Sequence, residues 1–227
     1  MSFDPNTPEI KKICEELIGS KTRIGFTTTL QNGKTYSKDF QNPNIIGDCM
    51  EDIIYPYIHK LIPTFERGPK QASPDFYNSK IWEWELKCFS KSPAFDISNF
   101  NSYVSQIKDN LEKKMYRTQY LIFKYELKNG FIKILDFKLC NVWEIINYNG
   151  KYPISLQCKK NIWYNIRPCN FNDMNNLYKT PIMFIKKLCE AIDKTPNILE
   201  NKTIIINFIY KQFYKLQYSK IIMALNQ

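Results

Sequence analysis

Glycine-rich phosphate loops, paired cysteines and long apolar runs are all missing from this chain of 227 residues. The tetrapeptide NGKT at Asn32–Thr35 has the look of a phosphate-loop ending. The glycine such a loop needs four residues earlier is Thr28, however, so the stretch reads as a turn. The seven cysteines, Cys14, Cys49, Cys88, Cys140, Cys158, Cys169 and Cys189, never stand in a C-x-x-C spacing. An odd, scattered set argues against a disulfide framework and against a zinc ribbon, and leaves small buried hydrophobes in a reducing compartment. The opening MSFDPNTPEI lacks the charged-then-apolar pattern of an export signal, and no run approaches the length that spans a bilayer. The expectation is a cytoplasmic protein with no membrane partner, in which the triplet Asn201-Lys202-Thr203 is not a glycosylation site. Repeats, low-complexity blocks and a clear linker are absent too, so one domain over residues 1–227 is the simplest organisation.

What is present is a large apolar inventory and a strong charge of one sign. The composition is 44% hydrophobic and 15% aromatic, enough for a substantial core. Lys and Arg number 32 against 22 Asp and Glu, a formal charge of +10. That excess favours polyanionic partners, nucleic acid ahead of a membrane surface. The abundance of Ile, Lys and Asn fits an AT-rich coding sequence and carries little chemistry.

Periodicity predicts alternating helices and strands. Residues 7–20 read as a helix capped by Thr7 with Pro8 at its first position, and with Ile10, Ile13, Cys14, Leu17 and Ile18 as the apolar stripe. A hairpin is predicted around Asn32-Gly33. A second helix over residues 44–62, with Pro56 inside it, would bury Ile46, Met50, Ile53, Tyr57 and Leu61. Glu51 then borders that face, while Asp48 and Asp52 point further away. Residues 63–73 read as a loop. A helix near 98–115 would bury Phe100, Tyr103, Val104, Ile107 and Leu111, and a strong hairpin turns at Asn129-Gly130. A strand pair is expected over residues 154–168, a helix opening at Thr180-Pro181, and an apolar, basic tail from residue 197 that packs on the core or on a partner.

The stretch SPDFYNSKIWEWELKCF, Ser73–Phe89, carries the chemistry. In a strand, Trp82, Trp84, Leu86 and Cys88 share the face that wants burial, and Ile81, Glu83, Glu85 and Lys87 share the other. Glu85 and Lys87 then lie about 7 Å apart along the backbone. A turn at Asn78-Ser79 would fold Asp75 back onto the same surface. Two carboxylates beside a lysine suit a magnesium ion, which takes oxygen ligands and keeps several waters. Such an ion neutralises phosphate charge and acidifies a bound water. The plain alternative is a surface hairpin whose Glu85 and Lys87 form an ordinary ion pair.

At Pro74-Asp75 and Glu85–Lys87 the sequence resembles the PD-(D/E)XK nuclease superfamily, and within it most resembles a Type II restriction endonuclease. The resemblance implies an α/β fold with a mixed central β-sheet flanked by helices. The catalytic core would lie at about 44–140, with C-terminal helical elements for dimerisation or DNA contact at about 180–227. It implies Asp75, Glu85 and the backbone carbonyl of Leu86 as ligands of Mg2+, with Lys87 beside the attacking water. Glu51 is the further acid expected from a preceding helix, with Glu83 as a weaker rival. Nuclease chemistries built on catalytic histidines fit poorly, because His59 is the only histidine and sits mid-helix.

For an enzyme of this kind the partner is double-stranded DNA, with a palindromic site read by a homodimer. Neither ATP nor S-adenosylmethionine is required. Arg67, Lys70 and Gln71 before Asp75, Lys91 after the strand and Gln106 on the next helix are the candidate DNA contacts. The same residues leave two other functions open. One is a repair or recombination nuclease of the same fold, such as a junction resolvase or transposon-end enzyme. The other is a basic nucleic-acid-binding protein without catalysis.

Overall fold

A computed structural model describes residues 4–40, 45–69, 72–148, 151–160, 162–175, 179–196 and 201–225. In chain order its elements are α1 (Thr7–Leu17), β1 (Lys21–Arg23), β2 (Gly25–Thr29), β3 (Thr35–Asp39), α2 (Ile46–Leu61), β4 (Phe65–Arg67), β5 (Phe76–Asn78) and β6 (Trp82–Phe89). There follow β7 (Ser98–Asn99), α3 (Phe100–Asp109), β8 (Thr118–Lys128), β9 (Phe131–Cys140), α4 (Val142–Ile145), β10 (Leu156–Lys159), β11 (Ile162–Ile166), α5 (Pro181–Lys194) and α6 (Lys202–Leu225). They gather into two compact units, one of Phe3–Pro93 with Gln119–Leu139 and one of Ala94–Thr118 with Cys140–Gln227.

The first unit is built on a mixed six-stranded sheet in the order β1-β9-β8-β6-β5-β4. Pairing is antiparallel at β1/β9, β4/β5 and β5/β6, with Phe76 opposite Trp84. Asn129 and Gly130, with φ of 52° and 75°, form the tight turn between β8 and β9, as the Asn-Gly signal requires. The turn between β5 and β6 falls one residue later than expected, on Ser79 and Lys80, both at positive φ. This keeps Asn78 in the strand.

Helices α1 and α2 cover the sheet. Ile10, Ile13, Cys14 and Leu17 of α1 are buried, while Ile18, expected in the same stripe, lies past the helix end and is 44% exposed. On α2 the buried stripe is Ile46, Met50, Ile54 and Ile58; Tyr57 and Leu61 are 54% and 65% exposed. The stripe is thus rotated about 40° from the expected one at 100° per residue. The apolar arc of α2 is about half the helix wide, so periodicity admits both stripes. Packing against Phe65, Phe76 and Trp84 selects the branched isoleucines. The same rotation carries Glu51 nearer the sheet.

Two further expectations are corrected. Residues 65–67, taken for loop, are β4 at the sheet edge, with Phe65 fully buried. Thr7 is not the cap of α1 but its first residue: the N-cap is Asn6, without a side-chain cap, and the Thr7 hydroxyl donates to the Asp4 carbonyl at 2.7 Å. Asp4 itself is buried. Its carboxylate accepts from Asn78 Nδ2 at 2.8 and 2.7 Å, from Trp84 Nε1 at 2.9 Å and from the Asn6 N–H at 2.9 Å. This network ties the start of the chain to β5 and β6.

In the second unit β10, β11 and β7 form an antiparallel sheet. Phe100, Tyr103, Val104 and Ile107 of α3, with Leu111, are buried as predicted. Thr180 caps α5, accepting from the Met183 N–H at 3.3 Å. The tail is the long helix α6, which packs on α5 and α3 and buries Ile205, Ile209 and Phe213.

Replacing Asp4 with alanine strands the Asn78 amide and the Trp84 indole N–H in the core. The expected loss is about 3 kcal/mol, since buried donors left unpaired cost about 1–3 kcal/mol each and these two share one acceptor. Urea unfolding of Asp4→Ala measures it; a loss under half that size means the network adds little to stability.

Candidate active site

Asp75 immediately precedes β5, and the register that sets Phe76 against Trp84 brings it alongside Glu85 and Leu86. The Leu86 N–H donates to Asp75 Oδ2 at 2.6 Å. On the other side the Gly68 N–H donates to the Asp75 carbonyl at 2.8 Å. A methyl group on Gly68 would land on the Pro74 carbonyl, so only glycine allows the two segments to approach this closely. Asp75 is therefore held at its main chain by one strand and at its side chain by another.

Both faces of β6 are covered. Trp84 and Leu86 enter the core as predicted, yet Glu83 and Glu85, expected on an open face, are buried as well. Glu85 accepts from the Ser73 hydroxyl and from Lys87 Nζ at 3.3 Å. Lys87 is more than three-quarters shielded from solvent.

Glu51 reaches the same ground from α2. Its burial, followed by the charges of Asp75 and Asp48, pushes its carboxyl up to about 7, while Arg67 and Lys87 pull it back. Asp75 is also raised, by burial first. Lys87 and the Leu86 N–H work against that rise, while Glu85 and Asp48 add to it. Carboxylates crowded where water is scarce destabilise one another, and a cation relieves that repulsion. Among the described residues no three His, Cys, Asp or Glu side chains form a ready-made metal cage. Asp75 and Glu85 are two hard oxygen donors on adjacent strands, with Glu51 close enough to feel the charge of Asp75. That set fits a magnesium ion, which keeps most of its waters and takes only one or two carboxylates.

Comparison with known proteins gives the family and the fold. A family described as NgoBV restriction endonuclease matches residues 25–224. The chain belongs to the NgoBV restriction endonuclease family. It is 29% identical over 160 residues to the Type II restriction enzyme NlaIV of Neisseria lactamica; the match covers 67% of this chain and spans 65%, just under two thirds, of that relative's length. The solved structure of NlaIV restriction endonuclease shares the fold, with a TM-score of 0.74 and 22% identity over 95% of this chain and 91% of that one.

In this member of the NgoBV family the remaining predicted residues lie on separate elements. Arg67, on β4, pairs with Asp52 at 2.7 Å, and its guanidinium stacks 4.6 Å from the centre of the Tyr55 ring. Lys91 is exposed beyond β6. Gln106, on α3 of the second unit, donates to the Ser102 hydroxyl at 3.3 Å. Lys70 and Gln71 lie outside the described residues. The rival Glu83 is buried further back along β6. His59 stacks on Tyr55 and bonds the Phe65 carbonyl at 2.7 Å, a structural role. Burial pushes the Cys88 thiol up to about 12, so it stays protonated at neutral pH.

Sequence reasoning missed Ser73 and Gly68. Ser73 stands two residues before Asp75 and gives no signal of its reach to Glu85. Gly68 gives one: a glycine between charged residues just ahead of a buried acid marks a close backbone approach.

Two outcomes follow from this geometry. Gly68→Ala displaces the Pro74–Asp75 segment and is expected to cost about 2 kcal/mol by overpacking, measured by urea unfolding. An unchanged midpoint would mean the two segments can separate without loss. Glu51 holds its proton more tightly in the folded chain than in the unfolded one. In EDTA, stability conferred by the protonated form is full below about pH 4.5 and is lost as pH rises through about 7. Glu51→Gln should flatten that decline in melting temperature; an unaltered pH profile would show that Glu51 does not titrate there.

Proposed function

We propose that the chain is a Mg2+-dependent Type II restriction endonuclease that hydrolyses phosphodiester bonds at specific sites in double-stranded DNA. One observation carries the reading: Asp75 and Glu51 are both pushed towards protonation by burial and by neighbouring carboxylates, with Lys87 alongside. Family membership gives the same direction.

In this reading Asp75, Glu85 and the Leu86 carbonyl hold the magnesium ion, with Glu51 as a further ligand. The bound cation supplies charge neutralisation at the scissile phosphate and acidifies water. Lys87 orients the attacking water and offsets charge developing on the phosphate. Its present bond to Glu85 keeps the ammonium aimed into the site before substrate arrives. The Leu86 N–H sets the orientation of the Asp75 carboxylate, and the Ser73 hydroxyl sets that of Glu85. Arg67 and Lys91, with Lys70 and Gln71, contact the DNA backbone, and Gln106 contributes a phosphate or water contact. The whole chain acts as one endonuclease domain in the bacterial cytoplasm, pairs as a homodimer on a palindromic site, and uses neither ATP nor S-adenosylmethionine. Among the described residues no helix is long and apolar enough to cross a membrane.

Digestion of a plasmid of known sequence in Mg2+ should give discrete bands whose ends carry 5′-phosphates. A smear, or preference for branched junctions, would favour a repair nuclease instead. Asp75→Ala and Lys87→Ala should each lower cutting by at least about 10²-fold, the lower range for loss of a positioned catalytic group. Duplex binding in Ca2+ should be largely retained. Undiminished cutting by either variant removes its role, and binding indifferent to Mg2+ with no cutting by the unaltered chain leaves only a nucleic-acid-binding protein.

A further inference from the structure

The β2–β3 hairpin has no evident shelter. Every residue from Gly25 to Lys38 is exposed, on both faces of the ribbon. Isolated two-stranded hairpins are marginal in water, so a chain that keeps one needs firm rooting. The root is firm: the Ile24 N–H donates to the Gly130 carbonyl at 2.8 Å, the Phe40 N–H to the Ile24 carbonyl at 3.1 Å, and Arg23 pairs with Asp39 at 3.0 Å. At Gly25 an added Cβ would come within 2.6 Å of the Lys38 carbonyl, so glycine lets the strands close at their base. The result is an anchored arm that, beyond the packing of Phe26 on Phe40 near its base, leaves its length exposed.

Its chemistry is one-sided. Residues 25–38 contain Lys34 and Lys38 and no Asp or Glu. Thr27 faces Ser37 across the ribbon with hydroxyls 2.9 Å apart, Thr28 is paired with Tyr36, and Gln31 sits at the tip. The charge continues at the root. Lys21 of β1 is paired directly with Lys133 of β9, and both line a recess of about 420 Å3 with Lys128, Phe131, Asn129 and Glu126. Like charges placed opposite each other across strands are destabilising unless an anion lies between them.

We propose that the β2–β3 ribbon enters the major groove of duplex DNA, with Lys34 and Lys38 of the ribbon and the lysines at its root holding flanking backbone phosphates. The proposal rests on the DNA reading above and adds the element that reads the sequence. A two-stranded ribbon fits a groove about 12 Å wide. Five residues of strand reach about 17 Å, enough to follow several base pairs. On the core side of the sheet lie Trp84 and Leu86 of β6 and Ile132 and Ile134 of β9. By alternation, Glu85, Lys87 and Lys133 point to the opposite side, so the recess and the acidic site share one face of one sheet.

The test uses the full chain, a pool of mixed-sequence 30-base-pair duplexes in Ca2+ for binding, and a plasmid in Mg2+ for cutting. Lys34→Ala with Lys38→Ala should weaken duplex binding about tenfold and make the salt dependence shallower by about two phosphate contacts. Thr28→Ala with Tyr36→Ala should keep the salt dependence but lower cutting at the plasmid's sites at least tenfold. All four positions are exposed, and unchanged melting temperatures would confirm intact folding. Binding and cutting equal to the unaltered chain in both variants overturns the ribbon's role while leaving the nuclease reading intact. Tighter binding to duplex RNA than to DNA also overturns it. If the unaltered chain binds no duplex at all, both readings fall together.

Discussion

The Leu86 N–H bond to Asp75 is where the fold and the chemistry meet. A three-residue strand, β5, sets the position of Asp75, and such a strand has little register of its own. Its register comes from outside: Phe76 buried against Trp84, Asn78 tied to the Asp4 carboxylate, and Gly68 hydrogen-bonded to the Asp75 carbonyl. A slip of one residue would turn Phe76 out of the core and Asp75 away from Leu86. The aromatic packing of this sheet therefore serves the site as much as it serves stability.

The site opposes that stability. Burying Asp75 and Glu51 near Glu85 and Asp48 sets like charges where water screens them poorly, and the rise of both carboxyls towards protonation expresses the cost. Lys87 offsets part of it, its Nζ lying 3.3 Å from the Glu85 carboxylate. The core offsets more, since each fully buried Ile or Phe contributes about 1.5–3 kcal/mol by leaving water. The rotation of α2 joins the two effects. The choice of Ile54 and Ile58 over Tyr57 and Leu61 for the core is the same choice that swings Glu51 towards Asp75.

Much of this was legible because it is local. Alternation through Trp82–Cys88 put Glu85 and Lys87 on one side of a strand, and the Asn-Gly pairs at 32–33 and 129–130 fixed two hairpins. What failed depends on what lies across the fold. A helix with a wide apolar arc has no single stripe until it meets a sheet, so α2 was misoriented. Edge pairing leaves the faces of a strand undetermined, and the second face of β6 is covered by groups such as Ser73 from a preceding segment, so Glu85 was expected nearer to water than it is. β4 is three residues long and gains its identity only by pairing with β5. Ser73 and Gly68 act through space on residues the sequence had already singled out, but nothing in their own neighbourhoods states the distance.

The distribution of charge closes the account. A phosphate approaching Glu51, Asp75 and Glu85 meets negative charge, so under the proposed nuclease function this site does not itself attract DNA. Attraction has to come from elsewhere on the surface, which is the role a net charge of +10 can play. The chain separates the two signs: Asp48, Glu51, Asp52, Asp75, Glu83 and Glu85 fall within 38 residues, while residues 25–38 hold none. Lysines around Lys21 and Lys133 carry the positive charge on the same sheet face as Glu85 and Lys87. Under the proposed function, steering and cleavage fall to different strands of one sheet.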